Sequence, residues 1–241
     1  MQGGAVRQGG YCYGIANRGE IEARYEARRE AAGVVIVAVA VLVALALTSR
    51  EENWELSGAR WWIWLILAVP GLLLCLDLWL GASGVRLVRT RVAGLLVLGV
   101  IVLGNVVGLV LLIRGLVTES SDELGGGQLL LTAAAIWIAN AIVFGVVYWD
   151  IDDGGPFQRA IHERVTPDFQ FPQDDNPKLA RPGWRPRIWD YLYISLTAGT
   201  AFSPTDTMPL TVTAKLMHGV QSVVSLVIVV LVTARAVNVL T

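Results

Sequence analysis

His162 and His218 are the only histidines of the 241-residue chain, and Cys12 and Cys75 the only cysteines. Catalysis by a nucleophile with a base, or by a metal cluster, needs such groups in a recognisable pattern. No phosphate-binding glycine loop, zinc-protease helix motif or nucleophile elbow occurs. The chain therefore reads as a non-enzyme with no cofactor and no metal. Cys12 precedes the first apolar run and Cys75 lies inside a later one, so both read as free thiols. Asp150, Asp152, Asp153, Asp174 and Asp175 crowd one Pro-rich stretch but lack the closing Glu of a helix-loop-helix calcium site, and read as solvated loop charges. Asp77 and Arg114 fall within apolar runs, as do Asn105 and Asn140. An intramembrane charge is a functional candidate by default. Asp77 has Arg86, Arg89 and Arg91 within a few turns as pairing partners, and Arg114 can snorkel from the end of its helix. His218, Gln221, Ser222 and Ser225 recur at helical spacing and share one side of a Val/Leu-rich rod. That side must meet protein or water; interhelical hydrogen bonding and the lining of a polar passage both fit.

The elements that would carry these groups follow from composition. Hydrophobic residues make up 54% of the chain and charged residues 16%, and the mean hydropathy is +0.56. A soluble domain of this length could not hide so much apolar surface, so lipid must be the solvent for much of it. A net charge of −1 excludes the basic excess that a nucleic-acid partner would need. Residues 1–30 are polar and contain a charged helical lead-in from Glu20 to Glu30, expected to be retained because it resembles no signal peptide. Apolar runs at 31–48, 61–82, 92–117, 128–149 and 214–240 each approach the ~20 residues that cross ~30 Å of hydrocarbon. The run 189–203 is too short and is expected to be short or re-entrant. The predicted architecture is all-α: a polytopic bundle of five long transmembrane helices plus one short or re-entrant helix. Its divisions are the lead-in 1–30, a four-helix region 31–149, a Pro/Asp/Arg-rich loop 150–188 and a C-terminal module 189–241. Trp54, Trp61, Trp62, Trp64, Trp79, Tyr148 and Trp149 lie at the run ends and read as an aromatic belt. Gly125, Gly126 and Gly127 read as a turn.

The stretch from Asp190 to Thr211 (DYLYISLTAGTAFSPTDTMPLT) resembles the signature of a family of uncharacterised bacterial multipass membrane proteins, common in actinobacteria and grouped under a domain of unknown function. The loop with Tyr148-Trp149-Asp150, Gly154-Gly155-Pro156 and Phe171-Pro172-Gln173 is similar to the same family, so the likeness covers about 140–241. The Asp190–Thr211 stretch is also similar to the pore loop of two-helix potassium channels. On that register Tyr193, Ser195, Thr200, Asp206, Pro209 and Thr211 fall on matching positions, and Lys215–Asn238 takes the place of the inner helix. The resemblance implies a pore helix followed by a filter-like segment, Thr200, Ala201, Phe202, Ser203, Pro204, Thr205 and Asp206. The filter glycines are absent. Phe202 and Pro204 stand in their places, and a proline has a fixed φ and no amide, which opposes a ladder of pore-facing carbonyls. A pore would instead be lined by the hydroxyls of Thr200, Ser203 and Thr205 or by a ring of Asp206, with the His218/Gln221/Ser222/Ser225 side as the polar face of the inner helix.

Fourteen Lys and Arg residues lie in 1–30, 83–91 and 150–188, against Arg50, Arg60 and Arg114 in the opposite loops. The positive-inside rule puts the N-terminus and the long loop in the cytoplasm, whereas a potassium-channel arrangement would put that loop outside. The expectations are a multipass protein of the cytoplasmic membrane, partnered by lipid and forming a homo-oligomer, a tetramer if it is a pore. The function expected is a channel; a non-conducting scaffold or subunit is the alternative, and a small-solute transporter using the Asp77 and Asn105 region a third.

Overall fold

The structure is a computed structural model that describes residues 32–51, short stretches between 61 and 114, and 126–155, 158–159, 167–201 and 206–240. The lead-in 1–30, Asp77, Asn105, both cysteines, His162 and the filter-like Phe202, Ser203, Pro204 and Thr205 lie outside the described residues. Helix α1 (Ala32–Glu51) holds 20 residues, about 30 Å at 1.5 Å per residue. Helix α2 (Gly126–Ile151) is apolar all round, as a segment without a water-facing side must be. It starts at Gly126, so Gly126 and Gly127, expected to form a turn, instead open the helix. Three helices among the described residues are long and apolar enough to cross a membrane: α1, α2 and α5 (Val212–Leu240). Five long spans were expected. The runs 61–82 and 92–117 are described only as short helical pieces, of which Trp64 and Leu109 are buried against Leu45, Ala133, Ile136 and Val224. The all-α class holds for the described chain, apart from one two-residue ribbon.

The core divides into two clusters that fix helix direction. One packs Val34 and Val35 of α1 with Phe144, Val147 and Tyr148 of α2 and Ala214 of α5. The other packs Leu45 and Ala46 with Ala133 and Ile136 and with Ile228. Helices α1 and α5 therefore run parallel to each other and antiparallel to α2. The first cluster sits under a cap built from residues 152–155, 159 and 167–187, which places the start of α1 and these loop residues at one end of the bundle.

The cap is made of short elements, as expected from its prolines. Helix α2 stops at Ile151, where Asp153 (φ 48°), Gly154 (φ 80°) and Gly155 (φ 99°) turn the chain through left-handed backbone. Strand β1 (Phe169–Gln170) pairs antiparallel with β2 (Met208–Pro209), Phe169 opposite Pro209. Helix α3 (Pro172–Asp175) begins with proline, and its Asp174 carboxylate accepts the Phe171 amide at 2.9 Å. Phe169 and Phe171 point into the bundle. Phe169 lies 5.0 Å from the Tyr148 ring, and Phe171 meets Tyr191 and Trp184 edge-on.

Helix α4 (Ile188–Ala201) has 14 residues, about 21 Å, short of a full crossing. Asp190 in its first turn accepts the Arg187 amide at 2.7 Å, closing half of a capping box. Ile188, Tyr191, Ile194, Ser195 and Ala198 are buried against α2 and α5, while Trp189, Tyr193 and Leu196 are exposed. Its first turns touch the cap. Its far end reaches Ser225, about 16 Å along α5 from Ala214. By Met208 the chain is back at the cap, paired with β1, and Leu210 N–H donates to Asp168 O at 2.8 Å. Helix α4 thus enters the bundle from the cap end, and the chain returns to that same end before α5 begins.

Candidate functional site

Helices α2, α4 and α5 approach closely because small residues face their neighbours. A Cβ on Gly145 would lie 2.6 Å from Leu192 Cδ2 and 3.1 Å from Leu192 Cα. The polar groups of α5 are turned into this contact. Gln221 is fully buried; its Nε2 donates to Ser195 O and to Ser195 Oγ, both at 2.7 Å, and its Oε1 accepts the Tyr148 hydroxyl at 2.5 Å. Ser195 Oγ donates to Ala141 O at 2.5 Å. One turn deeper, Asn140 Nδ2 donates to Ser225 Oγ at 3.0 Å, and Ser222 Oγ donates to Ala198 O at 3.4 Å. These bonds tie all three helices, each strengthening what lipid-side packing alone would leave weak, at about 0.6 kcal/mol apiece in membrane proteins.

Not every group is satisfied. Both ring nitrogens of His218, Asn140 Oδ1 and Trp137 Nε1 are buried without a hydrogen-bond partner. His218 stacks on Tyr148 with ring centroids 6.3 Å apart. The stripe is therefore polar along its length, bonded in the middle and open to further hydrogen bonding at both ends.

The cap above this seam is centred on Asp152, which is fully buried. Its Oδ1 accepts the amides of Asp168 (2.8 Å) and Phe169 (3.1 Å), and its Oδ2 accepts the Tyr191 hydroxyl. Arg159, also buried, lies 4.0 Å from Asp152 Oδ2 and sits over the Tyr191 ring at 5.0 Å. Its guanidinium donates to Trp149 O at 2.7 Å and to Asp152 O, which also accepts the Gly155 amide at 2.9 Å, so the carbonyls where α2 ends are met by a cation. Asp168 in turn accepts the Asp153 amide at 3.1 Å and the Thr211 hydroxyl, and Thr211 Oγ accepts the Ala214 amide at 3.2 Å as the cap of α5. One carboxylate thus holds the end of α2, the start of α4 and, through Asp168, the start of α5.

Several expected placements change. Asp152 is not a solvated loop charge, although Asp174 and Asp175 are exposed. Burial of the carboxyl group is tolerated here because its oxygens are hydrogen-bonded and a guanidinium is near. Tyr148, Trp149 and Trp64 are core residues and not an interfacial belt, whereas Trp62 is exposed. Their rings are covered by the cap and by neighbouring helices, which a run-end position alone does not reveal. His218, Gln221, Ser222 and Ser225 do share one side, and it packs on α2 and α4. Thr200 faces outward and donates to Leu196 O at 2.9 Å within its own helix, Ala201 is still helical, and Asp206 is exposed. Arg114 is an exposed helical residue. Among the described residues no group of three or more His, Cys, Asp or Glu is placed to hold a metal. Arg159 and Asp168 carried no signal in the sequence beyond their place in a Pro/Asp/Arg-rich run. Comparison with family models, with curated proteins and with solved structures gives no match to this chain.

Proposed function

We propose that the chain is a multipass protein of the cytoplasmic membrane whose C-terminal part is a re-entrant module of the pore-loop kind. In it α2 is the outer helix, α4 the re-entrant helix and α5 the inner helix, and copies of the module surround a passage for a cation. The observation that carries this reading is the path of α4. It enters about 21 Å from the cap end, and the chain is back at that end by Met208. A chain that enters and leaves by one end without crossing is tolerated only where protein or a water-filled cavity lies beside it, so such a path implies one or the other beside α4. The start of α1 and the cap share one end, and both flanks are rich in Arg. The positive-inside rule makes that end cytoplasmic, so the loop would enter from the cytoplasm, opposite to the potassium channels whose pore loop it resembles.

The test is ion flux through purified protein in liposomes. A passage predicts cation flux, with the preference among cations altered by Asp206→Asn, because a ring of carboxylates raises local cation concentration. Sealed liposomes with folded protein, and no difference for the variant, would remove this reading. A second reading, a non-conducting scaffold or subunit, is favoured by one specific observation. The side of α5 expected to line a passage spends Gln221, Ser222 and Ser225 on bonds within the chain.

A further inference from the structure

Trp137 and Asn140 lie one turn apart on α2; Trp137 reaches the bare face of Gly199 on α4, where Ser225 of α5 also arrives, and Asn140 bonds to that same Ser225. The position of a Cβ on Gly199 would be 3.1 Å from Ser225 Oγ and 3.6 Å from Trp137 Nε1. Asn140 Nδ2 already donates to Ser225 Oγ, leaving Asn140 Oδ1 as an acceptor without a donor and Trp137 Nε1 as a donor without an acceptor. Exchanging the two ends of the Asn140 amide leaves one of its atoms unpartnered all the same. Asn140 is fully buried and Ser225 is 1% exposed. An indole N–H can only donate and an amide oxygen can only accept, and no hydrogen bond joins the two directly, so both would be satisfied by a group near Ser225 that accepts from one and donates to the other.

We propose that the notch over Gly199 is a binding site for one ordered water molecule at the inner end of α4. The water accepts from Trp137 Nε1–H and from the Ser225 hydroxyl and donates to Asn140 Oδ1, three bonds being the usual complement of a buried water. It joins α2 to α5 beside Gly199, at the level where α4 ends, adding to the polar link that Gln221 makes one turn nearer the cap. Glycine is required at 199 because a methyl there would press on Ser225 Oγ and take up the room beside the indole. The inference is independent of whether the protein conducts.

The experiment is water-edited solid-state NMR on the full chain in lipid bilayers with ¹⁵N-indole tryptophan, the Trp137 signal being assigned by its loss in Trp137→Phe. Trp137 Nε1 should receive polarisation from water as quickly as indoles at the bilayer surface. In Gly199→Ala that transfer should fall for Trp137 alone; if this variant does not fold, Asn140→Leu, which removes the acceptor, should give the same selective loss. A Trp137 signal that takes up no water polarisation in the unaltered chain, while surface indoles do, overturns the proposal. Unchanged transfer in a folded Gly199→Ala or Asn140→Leu protein overturns it as well, since the water would then lie elsewhere.

Discussion

Asp152 shows how much a single side chain can organise. It accepts two backbone amides and the Tyr191 hydroxyl and lies 4.0 Å from Arg159, all without solvent. Asp152→Ala would strand a buried guanidinium, a phenol and two amides, which costs on the order of 3–5 kcal/mol. The expected result is a large drop in the thermal unfolding midpoint in detergent. Asp152→Asn keeps one accepting oxygen and should fall between; a wild-type midpoint for Asp152→Ala would show that the cap is not what secures α2 to α4. Tyr148→Phe removes only the donor to Gln221 Oε1 and should cost about 0.6 kcal/mol, as single interhelical bonds in membranes do. The contrast marks what the sequence could tell. Gln221 and Ser225 were legible because helical spacing put them on one side of α5. Asp152 was not, because neighbours at Asp153, Asp174 and Asp175 made it one of a run, and burial depends on Phe169 and Tyr191 folding over it.

The elements were legible where a long apolar run has one physical outcome. Helices α1, α2 and α5 fall close to the runs expected for them, and the short α4 begins near Asp190, whose carboxylate caps it. Asp190→Ala removes that cap and should lower stability by about 1 kcal/mol, read from the unfolding midpoint. What the sequence could not show is which faces meet. Gly145 sits in the middle of an unremarkable apolar helix, yet its missing side chain lets Leu192 approach to contact distance. Gly145→Leu would place a side chain where Leu192 Cα already stands and should separate α4 from α2. The expected outcome is protein that still inserts in membranes but loses its cooperative unfolding transition, since small residues set helix approach in lipid. A cooperative transition with an unchanged midpoint would count against the packing described here. The turn Asp153–Gly155 was hidden for a related reason: its left-handed residues look like any polar loop until the helix end they close is in view.

For the whole molecule, the direction of α2 and the position of α4 lead to two measurements. Helix α2 is long and apolar enough to cross once, and if it does, cysteines placed at Ser120 and at Asp175 should label from opposite sides of intact cells, Ser120 from outside by the charge rule. Labelling of Asp175 alone from outside would reverse the orientation and bring the loop into line with the potassium channels it resembles. The second measurement concerns how many chains assemble. In one chain Trp189, Tyr193 and Leu196 leave one side of α4 exposed, from 45% to 67%. If four copies meet around an axis, that side is covered and the Asp206 carboxylates face a shared path; a scaffold needs only one copy or two. Native mass measurement of protein released from lipid should therefore give a fourfold multiple of 26.1 kDa for the pore reading. Leu196→Arg would put a charge in the contact between copies, at a cost of several kcal/mol if it stays unpaired and buried. The assembly should then break down to single chains, with flux lost and the secondary structure kept. A chain that runs as a monomer in native lipid, with Leu196→Arg unchanged in every respect, would leave α4 facing lipid and would favour the scaffold.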